Sequence, residues 1–459
     1  MSKNSCPKHS LSAVILFIFM LSALLNLPGL GNKQETKKGD LDTEFKTEVI
    51  SKINKLMIDH YIFLDKAEKM RDFLNSQLKE GKYKGLNDVH QFARALRRDL
   101  IKISNDRHIQ VVYDPARVER IKAGKSQSEQ EREKARKEQL ERDRQQNFGF
   151  QRVELRDGNI GYLDLRSFTG QPEAFETIVA AMNFLANSNA VIIDLRNNGG
   201  GDPYTIQIIS SYFLKEYTHL NSFEYRGEDI FQQFWTLPGV PGKKMYDTDL
   251  YILTSRRTFS AAEEFTYNLK NLKRATIVGE TTRGGAHPGG FRIITDNFLV
   301  WLPDGRAVNP ITKTNWEGTG IEPHIKVDRD KALDKAHALA LEKLLEKTGD
   351  ESKKFSLQWG LDGLKSRMEP AVVDQDILKK YVGSYTRGSV TLEKNTLHLK
   401  AGPMTFKMIP VSESYFILEG ETNIRVRFER DSSGENFNII AIYADGNEEK
   451  INRIEKKEM

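Results

Sequence analysis

The segment AVIIDLRNNGGGDP, residues 190–203, constrains the fold more than any other part of the chain. Ala190, Val191, Ile192, Ile193 and Leu195 form a short apolar run, followed after Arg196-Asn197-Asn198 by three consecutive glycines. Such a run reads as a buried strand followed by a tight turn into a helix. IGYLDL (160–165), DLYILT (249–254) and ATIVG (275–279) read as further strands. Phe175, Ile178, Val179, Met182 and Leu185 line one face of a helix between two of them. Strands alternating with amphipathic helices make 149–327 an α/β region with a largely parallel sheet, closed by a helix over 331–344.

The flanks follow other periods. Val49, Ile53, Leu56 and Met57, then Phe92, Leu96 and Leu100, recur at helical spacing, which predicts an N-terminal helical domain over 32–115. Residues 116–147 alternate in charge with hardly a large apolar side chain and read as a solvated helix or linker. The α/β domain is expected over 148–350 and a second linker over 351–376. From 377 to 459, alternating runs with turn residues predict a small antiparallel β domain, barrel or sandwich.

Residues 11–27 are mostly apolar, preceded by Lys3 and Lys8 and followed by Pro28-Gly29-Leu30-Gly31. That pattern predicts a cleaved export signal over 1–31 and a periplasmic or secreted protein, with a retained anchor as the alternative. Cys6 is the only cysteine, so no internal disulfide forms, and thiol nucleophiles and zinc-thiolate sites drop out after cleavage. With 69 Lys+Arg against 64 Asp+Glu, the net charge of +5 gives no argument for a nucleic-acid partner.

Three clusters carry residue types that packing does not require. In 194–203 the glycines let backbone N–H groups approach an anion or a carbonyl oxygen, although a plain strand-to-helix turn explains them too. In LTSRRTFSAAEEF (253–265), Ser260 stands where a strand passes into a helix. Unpaired N–H groups there favour an oxyanion. Ser260-Ala261-Ala262-Glu263 also fits the capping box S-x-x-E. The third cluster, SNDRHIQVVYDP (104–115), holds His108, and NWEGTGIEPHI (315–325) holds Glu317. A serine hydroxyl needs a base, and an imidazole base works best when a carboxylate orients it. Ser260, His108 and Glu317 would supply those roles.

DLRNNGGGDP, TSRRTFSAAEEF, RATIVGETTRGGAHPGG and WEGTGIEPHI together resemble the tail-specific, or C-terminal processing, serine peptidases. The subgroup is similar to tricorn core proteases and interphotoreceptor retinoid-binding proteins, and the resemblance runs over about 45–327. It implies a crotonase-like ββα core, with Ser260 as nucleophile, His108 as general base and Glu317 as its carboxylate. It also implies an oxyanion hole from the N–H groups of Ala261 and of the 199–201 turn, at Gly200.

The chain departs from the family at three points. Where many members place a base lysine, this chain has Gly285. Arg107 precedes the histidine where tricorn proteases have serine, leaving Ser104 or a water to serve. The interval 115–148 is too short for the PDZ domain that processing proteases insert, so PDZ capture of a substrate tail is not expected. The expected function is an exported serine endopeptidase acting on protein or peptide through an acyl-enzyme, with neither metal nor cofactor. A hydrolase of other esters or amides and a non-catalytic binder of hydrophobic ligands are the alternatives.

Overall fold

The computed structural model describes residues 41–126, 128–227, 231–431, 434 and 436–454. The export signal expected over 1–31, with Cys6, lies outside them. Among the described residues no helix is long and apolar enough to cross a membrane.

Helices α1 (Thr43–His60), α2 (Leu64–Lys79) and α3 (Val89–Ser104) form the N-terminal layer. Asp42 and Asp88 cap the first and third, accepting the N–H of Phe45 and Gln91 at 2.7 Å. Asn105 ends α3 in the left-handed region, φ 56°, and turns the chain into strand β1 (Gln110–Tyr113). The charged stretch then forms α4 (Pro115–Ser126) and α5 (Glu129–Gln145), the latter with no buried residue and a Ser128–Glu131 capping box.

In chain order, the α/β region contributes β2 (Phe150–Arg156), β3 (Ile160–Leu165), α6 (Phe175–Leu185), β4 (Ala190–Asp194) and α7 (Pro203–Phe213). There follow β5 (His219–Tyr225), β6 (Phe231–Trp235), β7 (Asp249–Thr254), α8 (Ala261–Asn271) and β8 (Thr276–Gly279). It ends with β9 (Gly289–Ile293), β10 (Phe298–Pro303), β11 (Gly305–Val308), β12 (Ile325–Lys326) and α9 (Ala332–Lys347). The main sheet runs β12-β8-β7-β4-β3-β2, parallel throughout except for the edge strand β2. Side chains alternate across it. Leu163, Ile193, Ile252 and Ile277 face the core under α6, α7 and α8, while Tyr162, Ile192 and Leu253 face α9.

β1 pairs antiparallel with β10, so Ile109 and Val111 share a core with Phe298, Val300 and the faces of α1 to α3. The helical layer and the α/β region are thus joined by a sheet and a common core. That pairing carries His108, two residues before β1, to the edge of the α/β region.

Residues 351–368 correct the expected linker: they form α10 (Glu351–Met368), packed on α9 through Leu361 and Leu364. The short α11 (Gln375–Tyr381) precedes eight antiparallel strands. These are β13 (Gly383–Tyr385), β14 (Gly388–Glu393), β15 (Thr396–Ala401), β16 (Met404–Pro410), β17 (Tyr415–Leu418), β18 (Ile424–Arg430), β19 (Phe437–Tyr443) and β20 (Glu448–Ile451). A bridge from Tyr385 to Arg453 joins the first strand to the end of the last, closing an up-and-down barrel. Tyr381 stacks on Phe428 with ring centroids 4.0 Å apart, so an aromatic plug from α11 fills the barrel core.

The barrel docks on α10 through Arg425, whose guanidinium lies 3.8 Å from the Trp359 ring centre and 3.4 Å from Asp362. Burial pushes the Asp362 carboxyl up, so removing its cation leaves an acid in poor surroundings. Arg425→Ala is expected to destabilise the protein by about 3 to 5 kcal/mol in denaturant unfolding. Arg425→Met combined with Asp362→Leu should recover part of that loss.

Candidate active site

The site begins where β4 and β7 end. The residues after β4 and those after β7 are stitched together: Ser255 Oγ donates to Arg196 O (2.6 Å), Thr258 Oγ1 to Leu195 O (2.8 Å), and Phe259 N–H to Asn198 O (3.1 Å). Ser260 then caps α8 at φ 56° and ψ −122°, a conformation that side chains rarely adopt. Ala261 opens the helix, so its N–H has no intrahelical acceptor.

Gly200 packs against this turn. A Cβ there would lie 2.8 Å from Ser260 Cβ and 2.9 Å from the Ala261 nitrogen, at φ 107°. The N–H of Gly200, the expected oxyanion donor, here donates to Asn198 Oδ1 at 2.8 Å. Asn198, fully buried, is locked in turn by its own bond to Leu165 O.

His108 arrives from the other side. Its ring centre lies 4.5 Å from that of Phe259, the neighbour of Ser260. A Cβ on Gly285 would meet Phe259 at 2.2 Å and the His108 ring at 2.6 Å. The imidazole therefore occupies the space that any side chain at position 285 would need. Among the described residues no hydrogen bond joins the Ser260 hydroxyl to either nearby histidine.

Glu317 is set by a clamp. Trp316 Nε1–H donates to Gly285 O (2.7 Å), Gly318 N–H to Gly284 O (3.2 Å), and Ala286 N–H to Glu317 Oε2 (2.5 Å). The other carboxylate oxygen accepts the Arg107 N–H at 3.0 Å. Oε2 then lies 3.7 Å from His108 Nδ1 and 3.6 Å from His287 Nδ1. Burial would raise this carboxyl, but His108, His287 and the Ala286 N–H outweigh it and hold Glu317 below the ordinary range.

Sequence reasoning missed Asp106. It is fully buried, accepts the His108 N–H through Oδ1 (3.0 Å), and binds Tyr61 OH (3.0 Å) and His287 Nδ1 (2.7 Å) through Oδ2. Its spacing two residues before a histidine, as in an Asx-turn, was the available signal. Ser104 touches the cluster through Asp106. Its hydroxyl bonds Leu100 O and the Asp106 N–H at the end of α3. Asp106, His287 and Glu317 are also the group whose donor atoms could surround a metal ion, all within 4.8 Å of one another.

Two buried acids sit at the start of α8. Glu263 accepts Ser260 N–H, Thr282 Oγ1 and the N–H groups of Gly284 and Gly285, tying the Ser260 turn to the loop under His108. Burial, opposed by those four donors, pushes it up to about 7. Glu264, with Oε1 unpaired among the described residues, is pushed up by burial to about 8.

Two profiles match the chain: peptidase family S41 over residues 159–327, and the N-terminal domain of that family in eukaryotic interphotoreceptor retinoid-binding protein over 43–147. Together they span more than half of the chain. The chain belongs to peptidase family S41. Similar S41 relatives include carboxyl-terminal-processing proteases of Picosynechococcus sp., 28% identical over 162 residues, and of Synechocystis sp., 31% identical over 128 residues. Those matches cover 35% and 28% of this chain and the same shares of the relatives, so the chain spans about a third of their length. Among solved structures, the photosystem II D1 C-terminal processing protease matches at a TM-score of 0.32 and 22% identity, over 38% of this chain and 45% of that one.

Gly285→Ala is expected to displace the imidazole and lower kcat/KM by at least about 10²-fold, since small misplacements of a reacting group cost that much; a thermal scan beside the assay separates this from unfolding. Glu263 and Glu264 both carry folded-state values above the ordinary one near 4.5, so the native protein holds protons that the unfolded chain releases. Their contribution is complete below about pH 4.5 and is lost as pH rises through about 7 and 8. Glu264→Gln should flatten that decline, raising Tm at pH 9 by about 2 to 4 °C per kcal/mol recovered and changing it little at pH 5.

Proposed function

We propose that this S41 protein is an exported serine endopeptidase that cleaves protein or peptide substrates through an acyl-enzyme, on a crotonase-like core. The observation that carries the reading is His108 lying over Gly285, against Phe259 and beside a half-buried Glu317 whose two oxygens are held by backbone N–H groups. Ser260 Oγ attacks the substrate carbonyl while His108 takes its proton, and Glu317 stabilises the imidazolium so formed. The Ala261 N–H meets the developing oxyanion. Gly200 joins it once its amide exchanges Asn198 for the substrate oxygen. His108 then returns the proton to the leaving amine, and water, activated by the same imidazole, hydrolyses the ester. The names of the processing-protease relatives support a peptide bond as the target. α4 and α5 occupy the interval where a PDZ domain would stand, which supports substrate capture by other means.

A second reading exchanges the histidines. His287 has the shorter carboxylate contact, 2.7 Å to Asp106, and would be the base if its free nitrogen reached Ser260. Its ring packs on Phe63 of the helical layer, 5.4 Å between centres, whereas His108 packs beside the nucleophile.

Ser260→Ala should abolish hydrolysis, a loss of roughly 10⁶ in kcat, while the protein still folds. Turnover in a folded Ser260→Ala protein would sink the assignment. With His108 as base, His108→Gln is expected to lose kcat/KM while the protein stays folded. Loss in His287→Gln alone would transfer the role. Glu317→Gln is expected to lower kcat by about 10² to 10⁴, with the exposed Glu322→Gln near wild type.

A further inference from the structure

Beside the proposed nucleophile and base, one cluster is built more elaborately than hydrolysis requires. Asp106, His287 and Glu317 converge from three distant parts of the chain, with side chains 0%, 4% and 9% exposed. Their facing atoms are Oδ2, Nδ1 and Oε2. His287 Nδ1 is 2.7 Å from the aspartate oxygen and 3.6 Å from the glutamate oxygen. Around a tetrahedral Zn²⁺ with bonds of about 2.0 to 2.2 Å, ligand atoms sit roughly 3.3 to 3.6 Å apart. Of the three pairs, the histidine–glutamate one already has that spacing, the histidine–aspartate one needs to open by less than an ångström, and the two carboxylate oxygens lie within 4.8 Å of each other.

The surroundings are those of a held ligand set. Tyr61 OH and the His108 N–H fix the two oxygens of Asp106, and the Ala286 and Arg107 N–H groups fix those of Glu317. His108 Nδ1, buried and without a hydrogen-bond partner among the described residues, faces the same Glu317 oxygen at 3.7 Å. A nitrogen and two carboxylate oxygens are a donor set that suits zinc and its borderline neighbours better than calcium.

We infer that Asp106, His287 and Glu317 form an inhibitory binding site for a zinc-class divalent cation, one that opposes the proposed hydrolysis by occupying the carboxylate that serves His108. The ion replaces the proton between His287 and Asp106 and takes a free lone pair of Glu317 Oε2. The bound ion then holds the Glu317 oxygen that faces His108 Nδ1 at 3.7 Å, so that oxygen no longer serves the imidazole. Glu317 is the least buried of the three ligands and marks the side from which the ion enters. The inhibitory consequence rests on the function proposed above; binding itself does not.

The test uses the untagged full chain and Co²⁺, whose visible bands report four-coordinate binding without any assay of hydrolysis. Wild type and Ser260→Ala are both expected to bind one Co²⁺, displaced by Zn²⁺. His287→Gln and Asp106→Asn are expected to lose more than about 10² in affinity, and Tyr61→Phe, which removes a supporting donor, about 10- to 100-fold. Should His287→Gln fail to fold by circular dichroism, Glu317→Gln is read in its place, with the same expected loss. Zn²⁺ should inhibit wild-type hydrolysis at the concentration that displaces Co²⁺. Absence of stoichiometric binding in the wild type, or binding unchanged in the folded ligand variants, overturns the site. Binding without inhibition overturns the inhibitory role. Hydrolysis that survives in Ser260→Ala overturns the function instead and leaves the metal titration readable.

Discussion

The parallel pairing of β4 with β7 is the contact from which the rest of the site is built. Ala190 to Asp194 register against Asp249 to Leu253, so both strands end at one edge of the sheet. Backbone groups freed at two adjacent strand ends need partners, and here each chain supplies them to the other: Ser255 and Thr258 donate to Arg196 and Leu195, and Asn198 accepts from Phe259. That lacing leaves one path for the chain into α8, through a serine at φ 56°. The strain at Ser260 is held by the surrounding hydrogen bonds, including the one its N–H gives to Glu263.

Two carboxyl groups, Glu263 buried and Glu317 half-buried, then divide the work of fixing loops. Glu263 gathers four donors from the Ser260 turn and from 282–285, while Glu317 gathers backbone N–H groups from Arg107 and Ala286. A buried acid is costly unless its lone pairs are filled, and both are filled chiefly by backbone N–H groups, which cannot be lost to a side-chain substitution. The histidine has a separate origin. β1 pairs with β10, and this brings the end of α3, with Asp106 and His108, against loops more than a hundred residues away. Tyr61 reaches Asp106 from the turn after α1, so the helical layer is part of the site as well as of the core.

Much of this was legible in the chain. Ser260, His108 and Glu317 stand in stretches whose residue types exceed what packing needs, and the parallel sheet follows from apolar runs such as AVIID. Three features were not. Asp106 reads as an ordinary loop aspartate, because its partners Tyr61 and His287 are 45 and 181 residues distant. Asn198 reads as one more polar residue before the glycines, yet it accepts the Gly200 N–H. Residues 351–368 read as part of a linker yet form α10, whose apolar spacing Gly360 and Gly363 interrupt. Gly360 lets it pack closely, for a Cβ there would sit 3.2 Å from Leu341 of α9.

The division follows from range. Periodicity, caps and turn residues act over a few positions, so the sequence by itself determined the strands, the helices, the turn at 199–201 and the alternating strands of the barrel. Hydrogen-bond partners for buried polar groups depend on ångström-scale placement of segments distant in the chain. Only the tertiary structure therefore decided that two imidazoles flank one glutamate, that the Gly200 amide is held by Asn198, and that the barrel closes from Tyr385 to Arg453.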